Sequence, residues 1–261
     1  VPIGIQYRYV EPYWSRLAGL LSRLESQSGL AQSLSLESPL AEAADKDCYL
    51  RILRLGEYLI EKMTAFYARW YHQKFEPEAE GSADANDCPE RLQRLLDRSL
   101  RVAEQFFDVP SKGTLVDRCR RLEEASWTYI YREDLPDLAS LSPLDKGLAD
   151  WVAQEASLRD LHMRMVESFV AVDGCYVREK PSFERCAETA LLMSDMLARL
   201  GGDKLPARPK LGDRTVTVTI QPPIAITPRL ADYQQNRRAG RAAVAEVTEE
   251  IRQALEDTIE R

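Results

Sequence analysis

The chain has 261 residues, 44% of them hydrophobic and 30% charged, with 35 Lys and Arg against 42 Asp and Glu for a formal charge of −7. That is enough apolar material for a packed core in one large domain or two small ones, and it excludes a disordered, collagen-like or disulfide-scaffold chain. Apolar runs such as Phe169–Val172 and Ala190–Met193 stop at four residues, far short of the roughly 18 that a spanning helix requires.

The first residues, Val1-Pro2-Ile3-Gly4-Ile5-Gln6-Tyr7-Arg8-Tyr9, put Ile3, Ile5, Tyr7 and Tyr9 at alternate positions, which is strand periodicity. A strand with unpaired backbone groups needs a sheet. With Val1 in place of an initiator Met, the expectation is a chain that begins inside a domain whose earlier part lies upstream. Glu11-Pro12 then offers a helix start, Leu17, Leu20, Leu21 and Leu24 share a face, and Ser28-Gly29 closes the segment. The Ser-rich stretch from Gln27 to Ser38 reads as a connector. A second helix is expected from about Lys46 to Tyr71, its apolar surface supplied by Leu50, Leu53, Tyr58, Ile60, Met63, Phe66 and Trp70. The acidic run from Glu76 to Asp84 reads as a solvated loop.

A third helix is expected after Pro89 with Leu92, Leu95, Leu96 and Leu100 inward, and a fourth from about Thr114 through Cys119, Leu122 and Trp127. Ser142-Pro143 is a cap followed by a first-turn proline. The long helix it opens extends towards Val172, with Trp151, Leu158, Leu161, Met165 and Phe169 available for its buried face. Pro181-Ser182 opens another, which Gly201-Gly202 stops. Beyond Leu205-Pro206-Ala207-Arg208-Pro209 no helix continues. Arg214–Ile220 alternates and is β-branched, hence a strand. Ile224–Ile226 reads as a short continuation and Thr227-Pro228 as a second cap. The final helix carries Val244, Val247, Ile251, Leu255 and Ile259 at intervals of three and four. The expected fold is mostly α: a helical insertion over 11–202, attached to a partial α/β sheet built from 1–10 and 203–261.

The chemistry-bearing residues are sparse. Cys48, Cys88, Cys119, Cys175 and Cys186 form no Cys-x-x-Cys pair and are odd in number, as expected for free thiols in a reducing, cytoplasmic setting. His72 and His162 are the histidines; five residues after His162 stands Glu167, off its helical face, so both read as structural. Neither metal-ligand spacing, a Gly-x-Ser-x-Gly elbow nor a phosphate-binding Gly-rich loop is present, and no catalytic set or cofactor is implied. Over residues 203–241, eight basic side chains against three acidic ones give +5, leaving −12 for the rest. Within that span Arg237, Arg238 and Arg241 suit a phosphate or an anionic lipid surface, with a solvated face paired to acids as the alternative. The overall acidity argues against nucleic acid as a partner.

The two ends of the chain resemble the phospholipid/glycerol acyltransferase family, which includes 1-acylglycerol-3-phosphate acyltransferases. Val1-Pro2-Ile3-Gly4-Ile5 is similar to the family's fourth conserved block, a proline leading into a hydrophobic strand. The run from Val216 through Pro223-Ile224, Tyr233, Arg237-Arg238, Ala242–Val244 and Leu255 is similar to the end of family members. About 70 of the 261 residues are covered. The resemblance implies an α/β fold in which a His-x-x-x-x-Asp motif deprotonates an acceptor hydroxyl for attack on an acyl thioester. Here His72 is followed five residues later by Pro77 and His162 by Glu167, so the catalytic block is not in this chain. The implied parent is a glycerolipid acyltransferase using an acyl-CoA or acyl-carrier-protein donor and a glycerolipid acceptor, peripheral to an anionic membrane. Pro2 is then the one position carried over beside the active site, and Pro2, Arg237, Arg238 and Arg241 are the candidate substrate-binding residues. The rival reading is a helical protein-interaction or peripheral lipid-binding module without catalysis.

Overall fold

A computed structural model describes residues 1–30, 44–75, 88–135, 137, 139–170, 172, 175–203 and 207–259. The order is β1 (Ile3–Tyr9), α1 (Trp14–Ser28), α2 (Ala44–Trp70), α3 (Cys88–Phe107), α4 (Leu115–Tyr131), α5 (Pro143–Phe169), α6 (Tyr176–Glu179), α7 (Phe183–Leu200), β2 (Arg214–Ile220), a 3₁₀ turn (Thr227–Arg229), α8 (Leu230–Gln235) and α9 (Arg237–Ile259). The fold is mostly α with one small sheet made by the terminal strands. The expected connector beyond Leu30, the acidic loop of 76–84 and the break at 204–206 lie outside the described residues.

The chain divides into two compact units, Tyr13–Leu211 and Val1–Pro12 with Gly212–Arg261. In the first, helix starts follow local chemistry. The Thr114 hydroxyl accepts from the Asp117 amide at 3.2 Å while the Asp117 carboxylate accepts from the Thr114 amide at 3.1 Å, a capping box. The Ser142 and Ser182 hydroxyls accept from the amides of Asp145 and Arg185. Leu96, Leu100, Phe107, Leu122, Met163 and Val166 join α3, α4 and α5 in one core. Within it the Arg118 guanidinium donates to both oxygens of Glu104, at 2.6 and 2.9 Å, and to Asp97 at 2.7 Å. Glu104 is 2% exposed, so the pair stands largely out of water, where every remaining hydrogen-bonding site must be used. A second fork, Arg51 onto Glu25 at 2.9 and 2.7 Å, ties α2 to α1.

Several expected core positions are solvent-facing. Leu50, Trp70, Trp151 and Leu158 are all exposed, because each stands on the outer side of its helix while Leu55 and Val166 take the inner one. α5 ends at Phe169, and Val172 follows outside it.

In the second unit β1 and β2 pair antiparallel, with Ile3 opposite Ile220, Ile5 opposite Val218 and Tyr7 opposite Val216. This register gathers the apolar residues of both strands on one face. That face is bare: Ile5 is 58% and Val218 56% exposed. α9 instead crosses the other face at Gly4, where any side chain would run into Thr258; only glycine allows the helix so close. Ile224–Ile226 is irregular chain and not a strand, the two prolines before it having ended the ladder. Thr227-Pro228 opens only the 3₁₀ turn and α8. The long helix starts afresh at Asn236, whose Oδ1 accepts from the amides of Arg238 and Ala239 at 3.0 and 2.9 Å. Its expected apolar stripe is also open to solvent, with Val244, Ile251 and Leu255 exposed.

Candidate functional site

The sequence-derived candidates do not converge on one site. Pro2 is buried, and its carbonyl accepts from the Gln221 amide at 3.0 Å, extending the ladder. Arg237, Arg238 and Arg241 stand exposed on the first turns of α9. Thr258, which meets β1, is at the far end of that helix, roughly 25–30 Å away at 1.5 Å per residue. No ion pair engages these three arginines among the described residues, whereas other cations of the basic segment are committed. Arg208 holds Asp195 at 2.6 Å, Arg229 pairs with Glu250, and Arg214 lies over the rings of Tyr7 and Tyr9.

A concave, chemically mixed site stands in the helical unit, between α2, α5 and α7. Tyr67 on α2 and His162 on α5 face each other, the Tyr67 oxygen 2.7 Å from His162 Nδ1. They are 1% and 7% exposed. Tyr71, just past α2, closes edge-on against the imidazole at 4.9 Å between ring centroids. Arg159, one helical turn before His162, places its guanidinium over the rings of Tyr71 and Phe106 and reaches the Tyr71 hydroxyl at 3.4 Å. Arg199 and Leu200 of α7 complete the rim.

Burial fixes the protonation of this group. Desolvation, with a smaller effect from the Arg159 cation, pushes His162 down to about 4, and desolvation holds the Tyr67 hydroxyl well above its usual range. At neutral pH both are uncharged. The direction of this bond follows the imidazole tautomer: with Tyr67 as donor the ring proton is on Nε2, and in either tautomer Nε2 has no hydrogen-bond partner among the described residues. Arg199 Nε on the facing helix is likewise buried without one. No carboxylate orients His162: Glu167 is engaged by Arg164 at 3.1 Å. An imidazole that burial holds neutral, with no acid behind it among the described residues, is not poised as a general base for neutral pH.

Behind the rim, Met63, Met165 and Met196 form a neck shared with an inner chamber. The chamber is walled by aliphatic side chains, Met193 and Phe169, and by Gly56. Its one polar side chain, Thr189, spends its hydroxyl on the Arg185 carbonyl at 2.9 Å. The chamber measures about 80 Å³ and the outer vestibule about 230 Å³. Sequence reading missed this site because Tyr67 and His162 are 95 residues apart. The available signal was the concentration of Met165, Met193 and Met196 on two neighbouring inner helix faces.

Other reactive side chains are unassembled. No disulfide joins the five cysteines, and burial pushes Cys119 up to about 11. His72 is exposed just after α2, in left-handed backbone. Among the described residues no cluster of His, Cys, Asp and Glu has metal-site geometry, and no helix is long and apolar enough to cross a membrane. No family model, curated protein or solved structure matches the chain.

Proposed function

We propose that the chain is the C-terminal portion of a glycerolipid acyltransferase, taking an acyl group from a thioester donor to a glycerophosphate-type hydroxyl, with proton-transfer chemistry supplied from outside these 261 residues. The observation that carries this reading is the pairing of Ile3–Tyr9 with Arg214–Ile220, whose shared apolar face is uncovered. Two strands with a bare apolar side are marginal alone in water, and suit the margin of a larger α/β layer. That layer would be the domain to which the two resembling segments belong. In this reading Pro2 marks the strand nearest the reacting centre, and the helical unit is an insertion between the two strands.

The gene upstream of Val1 is the test. An in-frame His-x-x-x-x-Asp block there, and radiolabelled acyl transfer to lysophosphatidate or glycerol 3-phosphate by the protein carrying it, are the expected results. The 261-residue chain alone is expected to transfer nothing. A translation start immediately before Val1, or an upstream domain without that motif, overturns the proposal.

The second reading, peripheral lipid binding without catalysis, is favoured by the exposure of Arg237, Arg238 and Arg241. It expects binding to anionic phosphatidylglycerol vesicles that weakens with salt. Replacement of all three by Gln should abolish that binding.

A further inference from the structure

We propose that the cleft between α2, α5 and α7 binds a single-chain aliphatic anion, with its head on His162 and Arg199 and its chain directed through the methionine neck towards Gly56. This inference concerns the helical unit alone and stands whether or not the protein transfers acyl groups.

The head group follows from two unspent donors. Buried polar groups in folded proteins nearly always have a partner, since an orphan forfeits its desolvation free energy. His162 is 7% exposed, and its Nε2 has no partner. Arg199 Nε, on a residue that lines the same vestibule, has none among the described residues either. Both nitrogens have almost no accessible surface of their own, so a small turn of each side chain is needed to present them, and the acceptor that an imidazole N–H and a guanidinium N–H then favour is negatively charged, as a carboxylate or phosphate oxygen is. The remaining charged group at the rim is Arg159, a cation, held by Tyr71, Phe106 and a longer contact of 3.7 Å to Glu155. Among the described residues no carboxylate lines the vestibule.

The tail follows from the other end. Past the neck no hydrogen-bonding side chain is free among the described residues, and an amphiphile is oriented head outward. Few polar groups at the entrance of an otherwise apolar cavity is the usual form of a ligand site. The inner chamber at about 80 Å³ is smaller than the ~150 Å³ that admits a benzene ring, so as it stands it takes only the end of a chain. A linear chain advances further as unbranched, flexible methionines swing aside, and Met63, Met165 and Met196 stand where they must. Gly56 adds to this: a glycine inside a 27-residue helix weakens that helix, and a side chain there would press on the Met193 methyl at 3.3 Å. Its absence keeps the end of the chamber open.

The test uses the 261-residue chain with palmitate, hexadecyl phosphate and hexadecanol, each below its aggregation threshold, displacing a fluorescent fatty acid. Saturable one-to-one binding of palmitate, hexadecyl phosphate or both is expected, with the alcohol at least about tenfold weaker. Palmitate alone would identify a fatty-acid carboxylate, and the phosphate alone a phosphate-headed lipid. Arg199→Gln should weaken the anions about tenfold, and Gly56→Leu should weaken the 16-carbon chain while sparing octanoate. Binding should also raise the pH at which His162 titrates, read by imidazole NMR. The proposal is overturned if neither anion saturates, if hexadecanol binds equally well, or if Arg199→Gln with an unchanged circular dichroism spectrum binds as wild type. Should Gly56→Leu fail to fold, Arg199→Gln and the His162 titration decide.

Discussion

Leu100 in α3 and Ile5 in β1 are both aliphatic residues on the apolar side of an amphipathic element, yet Leu100 is 0% and Ile5 58% exposed. The contrast runs through the two units. In Tyr13–Leu211 the apolar stripes of α3, α4 and α5 meet one another, the buried Arg118 is forked onto Glu104 between α4 and α3, and Arg51 onto Glu25 joins α2 to α1. In the unit of strands and α9, the ladder is regular but its apolar face is largely exposed. Hydrogen-bond register needs only a partner strand, whereas burial needs a second layer. A regular element is therefore no measure of a core.

The largest test of this contrast is electrostatic. Glu104→Ala leaves Arg118 buried with only Asp97 to compensate it, and should cost about 3–5 kcal/mol in urea unfolding; a loss under 1 kcal/mol would mean the helical core is looser than its geometry. Next is pH. His162 titrates near 4 in the folded chain against about 6.5 when unfolded. As pH falls through 6.5 the unfolded chain takes up the proton first, so stability present above that pH is lost towards 4. The contribution is about 3 kcal/mol, and His162→Gln should flatten the profile of urea midpoint between pH 7 and 4 relative to wild type. The smallest effect belongs to the sheet: Ile5→Thr or Val218→Thr should change stability by less than about 0.5 kcal/mol, against about 2–5 kcal/mol for Leu100→Ala. A large loss from either sheet variant, measured on the same chain, would mean that the face is covered in solution.

Much of the helical framework was legible because its signals are local. Ser142 and Ser182 cap where a hydroxyl precedes the first turn, and Gly202 takes the left-handed backbone that ends α7. The mostly α fold and the joining of the two terminal strands were also legible, since alternation at Ile3–Tyr9 and Arg214–Ile220 required a partner for each. The start of α9 was misplaced: Thr227-Pro228 carries the stronger local signal, but Asn236 makes the cap that holds. Trp151 and Leu158 were expected inside, and the helix turned them out. On a 27-residue helix with apolar residues on several sides, periodicity alone does not choose the inner one. The candidate site was illegible for a different reason. Tyr67, His162 and Arg199 carry no motif, and only packing of α2, α5 and α7 brings them to one vestibule.

By itself, then, the sequence determined most of where the backbone is helical or extended, because capping, glycine and proline geometry and side-chain alternation act over a few residues. Tertiary structure decided which apolar faces are dry, which arginines are committed to carboxylates, and which imidazole is left with an unspent donor. Those properties depend on desolvation and on partners far along the chain, and neither is encoded within any single turn or strand.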